Sequence, residues 1–391
     1  MFLQIHYLTS YHASLLNRDD AGLAKRIVFG GVPRLRVSSQ CQKRHWREWL
    51  LQRTDLPRGY RSRHFFGRVL KPRLVQAGMD EQLAHNLILH LAKGILTAAG
   101  DKEALDKETL AMAQPVLFGE PEASFLASLV EQAAAQGDEK SAKAFLDHRI
   151  KESKANFTAM LQQAGLNNAA AGFEGALFGR FVTSDVLARV DAPVHVAHAF
   201  TTHALDTEVD FFTVVDDLAK DEEAGAAHAN DMELGAGILY GYVAVDVPLL
   251  VSNLTGCPRD AWRDQDLEDT RQLLNLLIHA IAQVTPGAKL GATAPYARAE
   301  CVVLEVGDAQ PRSLANAFLK PIDLGVEGAH PMARSVEALA GYITALEQMY
   351  EDTGERRYVA SLHPWPRAEE PVTSLQKAID QSLDALTGAR A

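Results

Sequence analysis

The apolar residues of this chain change period twice, and that change restricts the fold more than any other feature. Residues 2–9 alternate, with Leu3, Ile5 and Tyr7 on one face of a strand. From about 57 to 172 the apolar spacing is mostly helical, over 79–99, 121–135 and 140–164. Gly, Pro and acidic residues break these helices at 100–103, 119–121 and 136–139. β patterning returns at 178–184 and 193–215, through Val194, Val196, Val209, Phe211, Val214 and Val215. Side chains repeat every second residue on a strand and about every 3.6 on a helix, so one segment cannot serve both.

The remaining elements follow from the same test. Residues 10–31 are polar, contain Gly30-Gly31 and read as a long loop. Arg34-Leu-Arg-Val37 alternates with Arg34 and Arg36 on one face, and a helix starts near Ser38-Ser39 and runs to about Gln52. Residues 219–230 read as an exposed loop, 235–247 as a strong strand, about 260–284 as a helix, and 289–294 and 298–306 as strands. The rest is helical, with breaks around Pro311, Pro321 and Pro331, a Pro-rich link at 363–371 and a short terminal helix. Setting aside the helical stretch leaves strand–helix, two strands, helix, two strands. That order fits an α+β, ferredoxin-like or RRM-like core, a fold that hosts many functions.

At 391 residues the chain is too long for one small core and implies two or three packed units. Cys41, Cys257 and Cys301 are far apart and make no CxxC, which suits a reducing compartment. Met-Phe-Leu-Gln-Ile-His at the start lacks the pattern of a signal peptide, and no apolar run reaches the roughly 18 residues of a membrane helix. The expected location is the cytoplasm.

The formal net charge of −11 hides a strong asymmetry. Residues 18–73 carry 15 Lys/Arg against 4 Asp/Glu, while the remaining chain carries 24 against 46. A surplus this concentrated marks a polyanion footprint, or else a solvated basic face. Its clearest part is the run Arg34–Arg47. On a helical wheel Gln40, Lys43, Arg44 and Arg47 fall within roughly 100°. Trp46 and Trp49 lie off that face and can pack inward. Ser38 or Ser39 suits the N-cap, and free N–H groups there attract phosphate. Arg34, Arg36, the capped helix start and the basic stripe together suit a phosphate backbone, which fixes register and not sequence. The same pattern also suits an amphipathic helix with a basic solvent face.

Other motifs are weaker. Asn17-Arg18-Asp19-Asp20 can hold Mg²⁺ or form a turn, and with no third carboxylate nearby the turn is favoured. His195, His198 and His203 do not have zinc-ligand spacing, and structural roles are favoured over a metal site. Gly287–Thr293 lacks the order of a phosphate loop, and no Ser/His/Asp or Cys/His arrangement is evident.

Four segments, read together, resemble a known family. They are Leu16–Asp20; Phe29–Gly31 with Arg34–Arg47; Gly179–Ser184 with Ala197–His203 and Asp210–Asp217; and Thr285–Lys289 with Ser313–Phe318. In order and spacing they resemble the CasC-type backbone subunit of the type I-E Cascade, a CRISPR guide-RNA surveillance complex. The resemblance implies an RRM-like palm (1–56, 173–193 and 231–350), helical fingers (57–172), a thumb β-hairpin (194–230) and a C-terminal tail (351–391). It implies phosphate contacts at Arg18, Lys25, Ser38, Gln40, Lys43 and Arg47. It places an apolar wedge at Phe181, with Phe200, Thr201 and Thr202 at the thumb. Implied partners are guide RNA, target DNA by way of the guide, further copies head-to-tail, and other Cascade subunits, with no membrane. No cofactor, metal or catalytic residue is implied. The alternative is a metal-dependent ribonuclease using Asp19 or Asp20.

Overall fold

The computed structural model describes residues 1–97, 105–152, 160–161, 165, 171–180, 190–205, 207–214, 228–287, 290–328, 330–351 and 354–388. The chain is α+β and divides into two compact units: 1–54, 195–245 and 271–391 form the first, 55–194 and 246–270 the second. In chain order the strands are β1 (Phe2–Ser14), β2 (Arg26–Phe29), β3 (Val32–Val37), β4 (Gly59–Ser62), β5 (Val116–Gly119), β6 (Val194–Val196), β7 (Ala199–Thr201), β8 (Thr207–Val214), β9 (His228–Asp246), β10 (Ala299–Gly307) and β11 (Arg356–Ser361). The first five helices are α1 (Ser39–Leu50), α2 (Lys71–Gln76), α3 (Glu81–Thr97), α4 (Glu120–Ala134) and α5 (Glu139–Glu152).

The first unit is built on a sheet ordered β11-β10-β1-β9-β7-β3-β2, with β8 folding back on β9. β1 lies in its interior, and the alternation of its sequence has a consequence on each face. Leu3, Ile5 and Tyr7 stand opposite Val306, Leu304 and Val302, an apolar cross-strand set on one face. There the Tyr7 hydroxyl donates to Gln42 Oε1 of α1 at 2.6 Å, and the helix Glu268–Gln283 contributes Ile281 to the same crevice.

The opposite face is also buried. Leu8, Cys301, Val303 and Val359 meet Met332, Val336, Leu339 and Ile343 of the helix Pro331–Tyr350. Gln4 and His6 share that face and are satisfied by partners, as burial requires. His6 Nδ1 lies 2.9 Å from the Tyr240 hydroxyl and Nε2 3.2 Å from Glu305 Oε2. Burial holds the imidazole below its ordinary pKa. Glu305 also accepts from Arg312 at 2.9 Å and Arg357 at 2.7 Å. Burial works against its charge, but the His6 hydrogen bond and the two guanidiniums outweigh it and hold the carboxyl well below its usual range.

Several boundaries differ from the sequence reading. The stretch read as a loop over 10–31 holds the end of β1 and all of β2. Within 289–294, read as a strand, Leu290–Thr293 form a short helix. Residues read as a C-terminal tail supply β11 at the sheet edge and the helix Leu375–Thr387, whose Asp384 accepts from Arg271 at 2.7 Å. A six-residue strand whose partner lies some 55 residues upstream leaves little local signal.

In the second unit β4 and β5 pair in a two-stranded sheet, so the stretch over 57–172 is not wholly helical. Phe65, Phe66 and Phe118 form its aromatic centre, Phe65 and Phe118 stacked at 4.2 Å between centroids. Leu87 and Leu91 of α3, Leu126 of α4 and Leu146 of α5 complete that core. Glu122 is buried at the start of α4. It accepts from the Gly119 N–H at 2.9 Å and from Arg180 at 2.8 Å. Among the described residues no helix is long and apolar enough to cross a membrane.

Candidate nucleic-acid interface

The basic segment of the first unit is shaped by a two-residue turn. β2 and β3 pair with Phe29 opposite Val32, which leaves only Gly30 and Gly31 between them. Both have positive φ, 63° and 80°, as such a tight hairpin demands. A Cβ at Gly30 would fall 1.7 Å from the Leu319 carbonyl oxygen, so only glycine fits there.

β3 then delivers the chain to the start of α1. Ser38 is extended, and its hydroxyl accepts from the Cys41 N–H at 3.3 Å, a side-chain cap on the helix. The Ser38 N–H donates to Asn17 Oδ1 at 2.9 Å. The backbone of Lys25 bridges the same loop, donating to Asn17 O and accepting from the Arg36 N–H, both at 2.8 Å. The loop 15–25, β3 and the capped helix end are thereby fixed to one another.

Cations collect at this junction. Arg36 Nη1 donates to His198 Nδ1 at 2.6 Å. Partial burial, then the charges of Arg36 and Lys25, hold the His198 imidazole below its ordinary pKa. Among the described residues Arg18, Lys25, Arg36 and Arg47 have no carboxylate in ion-pair range, whereas Arg26 is neutralised by Glu233 at 2.6 Å and Arg44 by Glu48 at 3.0 Å. On α1, Gln40 and Arg44 are exposed, Lys43 and Arg47 half-buried, and Trp46 faces the core.

Four expected contacts sit elsewhere. Arg34 is fully buried, and its guanidinium is committed to the carbonyls of Phe29, Thr201 and Phe318 at 3.1, 2.9 and 2.8 Å. It shares a face with Arg36, but the chain around Phe318 covers its end of β3. Phe200, Thr201 and Thr202 lie in or beside β7, an interior strand, and are buried instead of standing on a projecting hairpin. Phe200 packs against Phe29 at 5.0 Å between centroids. The Thr201 hydroxyl accepts from Leu35 N–H and donates to His203 O, and Thr202 Oγ1 meets Ser335 Oγ at 3.0 Å. Phe181 lies outside the described residues, as do 215–227.

The metal readings are tested by the same geometry. Asp19 Oδ1 accepts from the Ala21 and Leu23 N–H groups at 3.0 and 2.9 Å, the turn use of that side chain. His203 is buried with Nδ1 at 2.8 Å from Ala204 O and Nε2 accepting from Ile238 N–H, while His198 faces Arg36. Among the described residues no group of three His, Cys, Asp or Glu is placed to hold a metal ion.

Two features escaped the sequence. The sequence favours a structural role for His198 but points to no partner, because its pairing with Arg36 joins residues 162 positions apart. Val209 and Phe211 on β8 stand on one face and are each 64% exposed, an apolar pair left in solvent.

Comparison with known proteins follows the same line. No curated protein sequence matches the chain. Its structure is similar to a chain of a solved CRISPR RNA-guided surveillance complex in a pre-nicking state. The TM-score is 0.74 and the identity 27%, over 99% of this chain and 100% of that one. A chain of a second CRISPR RNA-guided surveillance complex shares the fold at a TM-score of 0.58 and 23% identity, with 99% and 100% covered. The sequence profile of the CT1975-like proteins spans residues 3–388. Matched by that profile over nearly its whole length, and bearing out the resemblance carried by its four segments, the chain belongs to the CT1975-like protein family.

Proposed function

We propose that this protein is a non-catalytic backbone subunit of a CRISPR guide-RNA surveillance complex. It holds the phosphate chain of the guide, leaves the bases free to pair with target DNA, and repeats head-to-tail along the RNA. The observation that carries the reading is the pair Lys25 and Arg36, with no carboxylate in ion-pair range among the described residues, beside the Ser38-capped start of α1. Cations next to the N-terminus of a helix fit a polyanion. Arg18, Gln40, Lys43 and Arg47 extend the contact along one face. Arg34, Phe200, Thr201 and Thr202 act beneath it, fixing β3 and β7.

The strand order supports an RRM-like palm. β10, β1, β9 and β7, with α1 and the helix Glu268–Gln283 on one face, follow the ferredoxin-like arrangement. The helices of the second unit serve as fingers, and the β8–β9 hairpin as thumb. The exposed Val209 and Phe211 suit an apolar wedge against the strand or a neighbouring copy, at a cost of about a few kcal/mol per unstacked step. Base pairing then reads sequence, and the protein reads charge and shape.

The test is extraction of nucleic acid from the protein purified at low salt. A single RNA species of uniform length supports the reading. Material free of RNA, and indifferent to added guide transcripts, overturns it. Labelled complementary RNA incubated with the complex and Mg²⁺ stays intact; periodic cuts abolished by Asp19→Ala or Asp20→Ala would establish a nuclease instead.

A further inference from the structure

His198 is an exposed side chain in a cationic setting, and its chemistry is fixed by its neighbour. A guanidinium can only donate, so the 2.6 Å contact from Arg36 Nη1 makes His198 Nδ1 an acceptor. The ring is therefore neutral and carries its proton on Nε2. Arg36 is itself incompletely used, since its Nε is buried without a hydrogen-bond partner among the described residues. The charged groups facing the ring are Arg36 from β3 and Lys25 from the segment before β2. No carboxylate lies in ion-pair range of either cation among the described residues.

We propose that His198, held by Arg36 as the Nε2–H tautomer, is itself a ligand of the RNA phosphate chain, donating from Nε2 to a phosphate oxygen that Arg36 and Lys25 also attract. This rests on the RNA-binding reading given above. Arg36 thus does two things at once: it brings charge to the strand and sets which imidazole nitrogen offers a proton. Because partial burial, and then the same two cations, keep the ring below its ordinary pKa, the donor is present without protonation at neutral pH.

The experiment is a titration of fluorescent single-stranded RNA with the full chain, read by anisotropy. His198→Asn keeps an acceptor for Arg36 but has nothing at the Nε2 position. Its affinity falls about tenfold, the loss expected of one hydrogen bond to a charged acceptor, with an unchanged melting temperature. His198→Gln, which can place an amide N–H near the lost Nε2, recovers most of it. Wild-type affinity is flat between about pH 6.5 and 8, above the ordinary imidazole pKa. The assignment is overturned if His198→Asn binds like wild type while Lys43→Glu with Arg47→Glu does not; the site would then be right and His198 outside it. A wild-type affinity that climbs steeply as pH falls from 8 to 6 also overturns it, since an imidazolium would then be the ligand. A wild-type chain that binds no RNA removes the underlying reading itself.

Discussion

Arg34 donates through Nη2 to the Phe318 carbonyl at 2.8 Å, closing a separation of 284 residues. Its other two nitrogens, Nη1 and Nε, donate to Thr201 O and Phe29 O. One guanidinium therefore ties together the β2–β3 hairpin, strand β7 and the turn at Ala315–Phe318. It does so without a carboxylate in ion-pair range among the described residues, so its charge is met by carbonyl dipoles and by the face of the Phe29 ring, 5.9 Å away.

Arg34→Met takes the guanidinium donor away from three carbonyls, those of Thr201 and Phe318 buried and that of Phe29 partly so. Each unmet group costs about 1–3 kcal/mol, so a loss of roughly 3 kcal/mol or more is expected in a urea titration. Arg34→Lys, whose ammonium lacks the planar fork, recovers only part of it. Equal stability in all three chains would show that the carbonyls find other partners.

Lys43→Glu with Arg47→Glu reverses charge on the half-exposed face of α1 at two positions outside the buried core. RNA retention is abolished while the melting temperature barely moves. Single replacements by Gln should each lower the slope of log affinity against log salt by about 0.7 to 1, as expected for one phosphate contact. RNA retention that survives the double reversal places the phosphate face elsewhere.

Glu305→Gln takes one carboxylate from a buried cluster in which Arg357 keeps Glu347 and Glu370 and Arg312 keeps Glu355, a loss of about 1–3 kcal/mol. The pH dependence has a definite sign. A carboxyl whose folded pKa is depressed contributes fully above its unfolded value near 4.3, and that contribution fades as pH falls through the folded value. The stability difference between wild type and Glu305→Gln is therefore constant from about pH 5 to 8 and shrinks below about pH 4. A gap that widens with acid would contradict the network drawn around Glu305.

Phe211→Ser removes an exposed apolar group and changes stability by no more than about 0.5 kcal/mol. On the proposed reading it weakens the spacing of successive copies along RNA. Nuclease footprints of the assembled filament should lose their regular period. A sharp, unchanged footprint would free β8 from the wedge role.

Sequence alone carried β1, the Ser38 cap, α1 and the helices of the second unit, because each has a strong local period or a capping side chain. It also marked the concentrated basic stretch 18–73 and the run Arg34–Arg47 within it, whereas Lys25 entered only through the family resemblance. What it missed depends on distant cover. Arg34 and Arg36 alternate alike, and only a segment nearly 300 residues downstream decides which of them is enclosed. The two-sided burial of β1 is of the same kind: Gln4 and His6 look like a wet face until Glu355, Tyr240 and Glu305 are brought to them. The edge strand β11 was hidden because six residues with Arg at the first two positions carry too little alternation.

The helix Pro331–Tyr350 lies over the reverse of the sheet and fills it with aliphatic side chains. On the proposed reading, nucleobases then have no bare platform there on which to lie flat, and nothing on that surface can prefer one letter over another. Such a subunit is indifferent to its message. A cell that changes what its guides spell has no need to change the protein that carries them.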